Sequence, residues 1–279
     1  METGECVKLF RDYSNNENEN ENDNNISKII TTYKLNHKYQ TFDYAIKMKS
    51  EYCTIFNKAV MDIWSAIELT NNITDESDPD LSLQQIYHTF QTAENIRKHH
   101  PDRKDLHLIG LIHDLGKVML LDKFGGLPQW SVVGDIFPLG CKFSDKIVFN
   151  DFFEENVDSK NSDYNSKYGI YKQNIGFDNI VMSWSHDEYL YNVLINNPKC
   201  KLPKDSLRII KYHSFYAFHK ENEYHHLANE NDMKLKPLLQ LFSHCDLYSK
   251  NDNNKLNIDE LKEYYINLIN EYCPGEFNW

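Results

Sequence analysis

The chain has 279 residues and a formal charge of −12, from 30 Lys and Arg against 42 Asp and Glu. That length suits one large domain or two small ones, and the negative balance argues against DNA, RNA or an acidic membrane as the main partner. Hydrophobic residues at 41% and charged residues at 26% describe a globular chain, not a disordered one.

The opening segment carries Glu2, Glu5, Arg11 and Asp12 without an apolar core, so no secretory leader is expected. No apolar run is long enough to span a bilayer. Six scattered cysteines with no CxxC pair read as reduced thiols of a cytoplasmic protein. On that basis the glycosylation sequons at Asn25 and Asn72 are chance matches.

In chain order, residues 14–25 form an Asn/Glu-alternating tract that cannot bury apolar surface, expected as a flexible insertion. Across 42–67 apolar residues recur at Ala45, Met48, Tyr52, Phe56, Ala59, Ile63 and Ile67, a spacing that predicts one long amphipathic helix. After a polar break at 71–79, Ser82 is a candidate N-cap. The helix behind it turns Ile86, Phe90, Ala93 and Ile96 inward and ends near His99, His100 and Pro101. Residues 106–121 are apolar apart from His107, His113, Asp114 and Lys117; a helix so apolar all round belongs in the middle of the domain. A Gly/Pro-rich loop region at 125–140 and a mixed stretch at 142–173 follow. Helical patterns return at 187–196, at Lys204–Tyr212 behind Pro203, at 233–247 and at Ile258–Tyr272. Strand signals are weak. The expected architecture is mainly α: a single-domain helical bundle with few or no strands.

Most of the twelve histidines have ordinary explanations. His99 and His100 suit a helix C-terminus, and His219, His225 and His226 read as loop residues. His113-Asp114 is different, because an ionised carboxylate in the most apolar helix of the chain demands a partner. A pair with Lys117 would satisfy Asp114 but leaves His113 unexplained. His88, His186, His213 and Asp246 also sit on or at the ends of helical segments. Imidazoles and carboxylates presented from several helices to one interior are how bundles build metal sites. Nitrogen and oxygen donors without thiolates favour iron or manganese over structural zinc. Six donors exceed what one open catalytic ion uses, which favours two metals sharing Asp114. The Gly110…Gly116-Lys117 stretch is not a phosphate loop: five residues separate the glycines, and Val118 stands in place of Ser or Thr. HExxH, GxSxG and a dinucleotide-binding glycine fingerprint are all absent.

The His…His-Asp…Asp arrangement resembles the HD-domain superfamily. The blocks around it resemble the inositol oxygenase family: FRDY at 10–13, TTYKLNH at 31–37, DESDPD at 75–80, HTFQTAENIRKHHP at 88–101 and LIGLIHDLGK at 108–117. PQWSVVGD at 128–135, MSWSHDEYLY at 182–191, HSFY at 213–216, DLYSK at 246–250 and YCPGEFNW at 272–279 continue the match in family order. The resemblance implies an HD-type helical catalytic domain over 31–279, preceded by an N-terminal arm over 1–30. It implies a mixed-valent di-iron oxygenase that cleaves myo-inositol with O2 to D-glucuronate, acting as a cytoplasmic monomer. Carried over by position, His88, His113 and Asp246 would hold one iron and His186 and His213 the other, with Asp114 bridging. Lys117 would contact substrate at the metal as the catalytic lysine. Arg11, Tyr33, Asp75, Gly134, Asp135, Ser214 and Lys250 would complete the substrate contacts. The competing expectation is an HD-type metal-dependent phosphohydrolase, which needs no O2 and wants several cations for its phosphates.

Overall fold

The computed structural model describes residues 22–77, 85–248 and 256–279. Arg11, Ser82 and Lys250 lie outside the described residues, as does most of the tract at 14–25. Eleven α-helices run through the described chain: α1 (Asn22–Tyr39), α2 (Phe42–Tyr52), α3 (Ile63–Thr70), α4 (Gln85–His99), α5 (Lys104–Ile112), α6 (Gln129–Val132), α7 (His186–Ile195), α8 (Lys204–Tyr212), α9 (Tyr216–His219), α10 (Glu230–Tyr248) and α11 (Ile258–Tyr272). The two strands, β1 (Val60–Asp62) and β2 (Glu276–Asn278), pair antiparallel with Met61 opposite Phe277. Among the described residues no helix is long and apolar enough to cross a membrane, and Cys53, Cys141, Cys200, Cys245 and Cys273 are free thiols.

The helix expected over 42–67 is two helices with a strand between them. Ala45, Met48, Tyr52, Ala59, Ile63 and Ile67 are all buried as the spacing demands, and Phe56 is half-buried. The burial rhythm is right, but the backbone leaves the helix at Cys53, and the Asp62 carboxylate caps α3 by accepting the Ser65 N–H at 2.7 Å. The cause is remote. The C-terminus returns to this segment, so that Lys58 N–H donates to the Trp279 carbonyl at 2.7 Å and Trp279 N–H to the Ala59 carbonyl at 2.9 Å. The Trp279 indole is fully buried, with Nε1 donating to the Met61 carbonyl at 3.1 Å. Tertiary pairing here overrides local periodicity.

The helix expected over 106–121 also divides. Every residue from 105 to 119 is buried, in keeping with a central position. Yet α5 stops at Ile112, His113 caps it, and a tighter 3-10 helix follows over Leu115–Leu120. The core is built around this segment. α4 lies beside α5 so closely that a Cβ on Gly110 would sit 2.8 Å from the Ala93 Cα. α10 packs on α4 and α8, α7 on α8 and on the 3-10 helix, and α11 on α5. α10 contains Pro237 and extends the pattern expected at 233–247.

α1 is fastened to α6 and to the irregular segment that follows it. Asn36 Nδ2 donates to the Trp130 carbonyl at 2.8 Å, and Asn156 Nδ2 donates to the His37 and Gln40 carbonyls at 2.6 and 3.0 Å. These bonds seat Tyr33 against the turn at Gly134. His219, expected in a polar loop, is instead fully buried in α9, because its ring Nε2 donates to the carbonyl of His213 at 2.9 Å.

Candidate metal centre

Five helices deliver the six side chains. His88 comes from α4, His113 and Asp114 from the break after α5, His186 from the first turn of α7, His213 from the end of α8 and Asp246 from α10. The break after Ile112 serves this convergence. His113 and Asp114 form the junction between α5 and the 3-10 helix, Asp114 with φ −91° and ψ −1°, and from that junction both side chains reach one interior. α7 begins where it does because Ser185 caps it, accepting the Asp187 N–H at 3.1 Å. Gly116 lets the 3-10 helix meet that first turn, since a Cβ there would lie 2.1 Å from the His186 carbonyl oxygen.

The polar atoms form two adjoining sets, His88–His113–Asp114 and Asp114–His186–His213, each with donor atoms within 4.8 Å of one another. Asp114 belongs to both: Oδ2 lies 3.4 Å from His113 Nε2 and 3.8 Å from His88 Nε2, while Oδ1 lies 3.2 Å from His186 Nε2. Asp246 joins the first set, with Oδ1 3.0 Å from His88 Nε2 and 3.4 Å from His113 Nε2.

The tautomers follow from what stands behind each ring. His113 Nδ1 donates to the Gly110 carbonyl at 2.9 Å, His186 Nδ1 to Val132 at 2.7 Å and His213 Nδ1 to Ile210 at 2.8 Å. In the neutral rings every Nε2 is then a lone pair aimed inward. His186 Nε2 and His213 Nε2 face each other at 3.3 Å. Lone pairs opposed to lone pairs and to carboxylate oxygens repel unless a cation lies among them. Burial disfavours the charged forms, but the neighbouring carboxylates win: Asp114 and Asp246 raise the pKa of His113, and Asp187 raises that of His213. Burial likewise opposes the ionised acids, yet His113 and Lys117 hold Asp114 well below the usual carboxylate range, and His113 and His88 do the same for Asp246. Metal ions compete for the same lone pairs as these protons, so the donor set fits a pair of divalent or trivalent cations.

Lys117 is buried beside this cluster, with Nζ 2.9 Å from Asp114 Oδ2 and 2.8 Å from Asp75 Oδ2. Burial alone would favour the neutral amine, but Asp114 and Asp75 raise its pKa and keep it a cation. Asp75 is held in turn by the Ser77 N–H and Oγ at 2.8 and 2.6 Å. Of the remaining expected contacts, those among the described residues are linked to one another or to chain neighbours. The Tyr33 hydroxyl donates to Asp135 Oδ1 at 3.0 Å, Gly134 turns with φ +95° against the Tyr33 ring, and Ile136 N–H donates to the Ser214 carbonyl at 3.1 Å. Sequence reasoning missed several polar groups that touch the cluster, among them Thr92, whose Oγ1 donates to Asp246 Oδ1 at 3.4 Å. Gln85 Nε2 donates to Asp114 Oδ2, and Asp187 Oδ1 lies 2.7 Å from His213 Nδ1. Nothing local marks Gln85; Asp187 could have been found as the second His-Asp dipeptide of the chain.

Fold and site define a mainly α protein with a buried His/Asp cluster suited to metal ions. The family model for myo-inositol oxygenase matches residues 26–279, and the chain belongs to that family. It is 48% identical to the inositol oxygenase of Dictyostelium discoideum over 275 residues, covering 98% of this chain and 90% of that protein. It is 51% identical to inositol oxygenase 1 of Arabidopsis thaliana over 247 residues (88% and 78% covered) and 44% identical to the inositol oxygenase of Danio rerio over 274 residues (97% and 93%). This membership does not favour the phosphohydrolase reading.

Proposed function

We propose that this chain cleaves the ring of myo-inositol with O2, yielding D-glucuronate and water at a mixed-valent pair of iron ions. The overall change is a four-electron oxidation: one oxygen atom enters the product carboxylate and the other leaves as water. His88, His113 and Asp246 would hold one iron, His186 and His213 the other, and Asp114 would bridge. The observation that carries this reading is the convergence of imidazole nitrogens and carboxylate oxygens in two adjoining sets that share Asp114. When bound, the irons would supply Lewis acidity toward a substrate oxygen and a redox route by which the electrons of inositol reach O2.

The protein's own groups bind and orient. Lys117 carries its proton on Nζ at neutral pH, so its role is to donate a hydrogen bond and positive charge to a substrate oxygen, not to act as a base. Asp75 aims that ammonium through the 2.8 Å contact. An uncharged polyol is recognised through hydroxyl hydrogen bonds in a closed site, where each unmatched polar group is costly. Tyr33, Gly134, Asp135 and Ser214 offer such groups, and Arg11 and Lys250 belong to the same proposal from outside the described residues. Four imidazoles against two carboxylates make a donor set less anionic than a carboxylate-rich one, which favours retention of a mixed-valent Fe(II)/Fe(III) state. The proposal keeps 1–30 as an arm and 31–279 as the catalytic domain of a cytoplasmic monomer.

Turnover under labelled O2 tests it. One heavy oxygen should appear in D-glucuronate, with O2 and inositol consumed in equal amounts. Product formed without O2, or hydrolysis of a phosphate ester in its absence, would refute the reading.

A further inference from the structure

The chain contains two buried His-Asp dipeptides, and their acids do opposite things. Asp114 turns toward the cluster, whereas Asp187 turns behind it. Asp187 is fully buried, with Oδ1 2.7 Å from His213 Nδ1 and Oδ2 3.7 Å from His186 Nδ1. Its own orientation is fixed on both sides: the Ser185 hydroxyl donates to Oδ2 at 2.7 Å, and the Ser214 N–H approaches Oδ1 at 3.4 Å. The other half of the site lacks such an acid among the described residues. His213 Nδ1 and His186 Nδ1 face Asp187 in addition to the Ile210 and Val132 carbonyls, whereas His113 Nδ1 has the Gly110 carbonyl alone and His88 Nδ1 is buried without a hydrogen-bond partner. A carboxylate behind a ligating imidazole fixes its tautomer and rotation and makes its far nitrogen a stronger donor. One half of the cluster is therefore anchored by charge and the other is not.

We propose that Asp187 is a positioning residue for the His186/His213 half alone, setting the metal affinity of that centre independently of its neighbour. The inference rests on the two-metal reading of the cluster and adds an asymmetry to it. The bland alternative is an acid that merely favours the first turn of α7 through the helix dipole.

Cobalt(II) titration of the metal-stripped full chain separates these, read by its visible absorption. Wild type should take up two equivalents. Asp187→Ala should leave one unchanged and weaken the other about 10- to 100-fold. Asp187→Asn keeps a neutral acceptor toward Nδ1–H, so it should recover part of that loss while leaving the other equivalent untouched. In a double-mutant cycle, His213→Ala should abolish the same equivalent, with no further loss on adding Asp187→Ala. Two equivalents bound with wild-type affinity by Asp187→Ala, or both weakened alike, would overturn the proposal. Should Asp187→Ala fail to fold, equal weakening of both equivalents in Asp187→Asn would overturn it as well. Fewer than two equivalents in wild type would instead sink the two-metal reading, and the asymmetry with it.

Discussion

Lys117 illustrates how a single side chain acquires its role from burial. An ammonium out of water is costly, and what retains the charge is contact with two acids, Asp114 and Asp75. Lys117→Ala removes a donor near the cluster without touching an imidazole. Metal content should stay at the wild-type level while kcat falls about 10²- to 10³-fold, as for loss of a preorganised donor. Metal analysis beside steady-state kinetics checks this, and parallel loss of metal would show that Lys117 is structural. The six cluster residues were legible in the sequence because ionisable groups in apolar helices need a reason. The atoms behind them were not. Val132 and Ile210 contribute backbone carbonyls, which no side-chain pattern records, and Gln85 reaches Asp114 from a different helix.

At the scale of elements, the helix types were largely readable and their interruptions were not. Ile258–Tyr272 and Lys204–Tyr212 fall where apolar spacing and Pro203 indicate, because nothing outside competes with the local pattern. The break after Ile112 places His113 and Asp114 at the cluster, and Gly116 lets the 3-10 helix beyond it approach the first turn of α7. Gly116→Ala forces a methyl against the His186 carbonyl, so overpacking should cost at least about 1–3 kcal/mol. His186 should move with α7, and metal affinity should fall together with Tm. Unchanged Tm and metal content in this variant would contradict the packing.

α5 carries a second device at His107, fully buried, whose Nε2 donates to the His100 carbonyl at 2.8 Å while Nδ1 accepts from the Tyr264 hydroxyl at 2.8 Å. Burial lowers its pKa below the ordinary 6.5. The unfolded chain thus takes up this proton first as pH falls, and the stability present above pH 6.5 declines below it. Urea unfolding at pH 7.5 and at pH 5.5 should show a smaller stability loss in His107→Gln than in wild type. An equal or larger loss in the variant would contradict a neutral His107.

For the whole molecule, the least predictable feature is the meeting of 58–62 with the C-terminus. Trp279 fills the core beside β1, across a separation that local sequence cannot encode. β1 runs into α3, which packs on the 3-10 helix behind the cluster, and α11 packs on both α3 and α5. Composition had already indicated a globular chain, and the family blocks, spread along almost the full length, gave the arrangement of the bundle through resemblance, not through periodicity.

The central claim is the proposal that this bundle holds two redox-active ions at the His/Asp cluster. Metal analysis combined with EPR spectroscopy on partly reduced, air-exposed protein tests it most directly. Two irons per chain and a coupled mixed-valent signal that changes when myo-inositol is added are the predicted result. A single zinc per chain, with a spectrum indifferent to inositol, would contradict it.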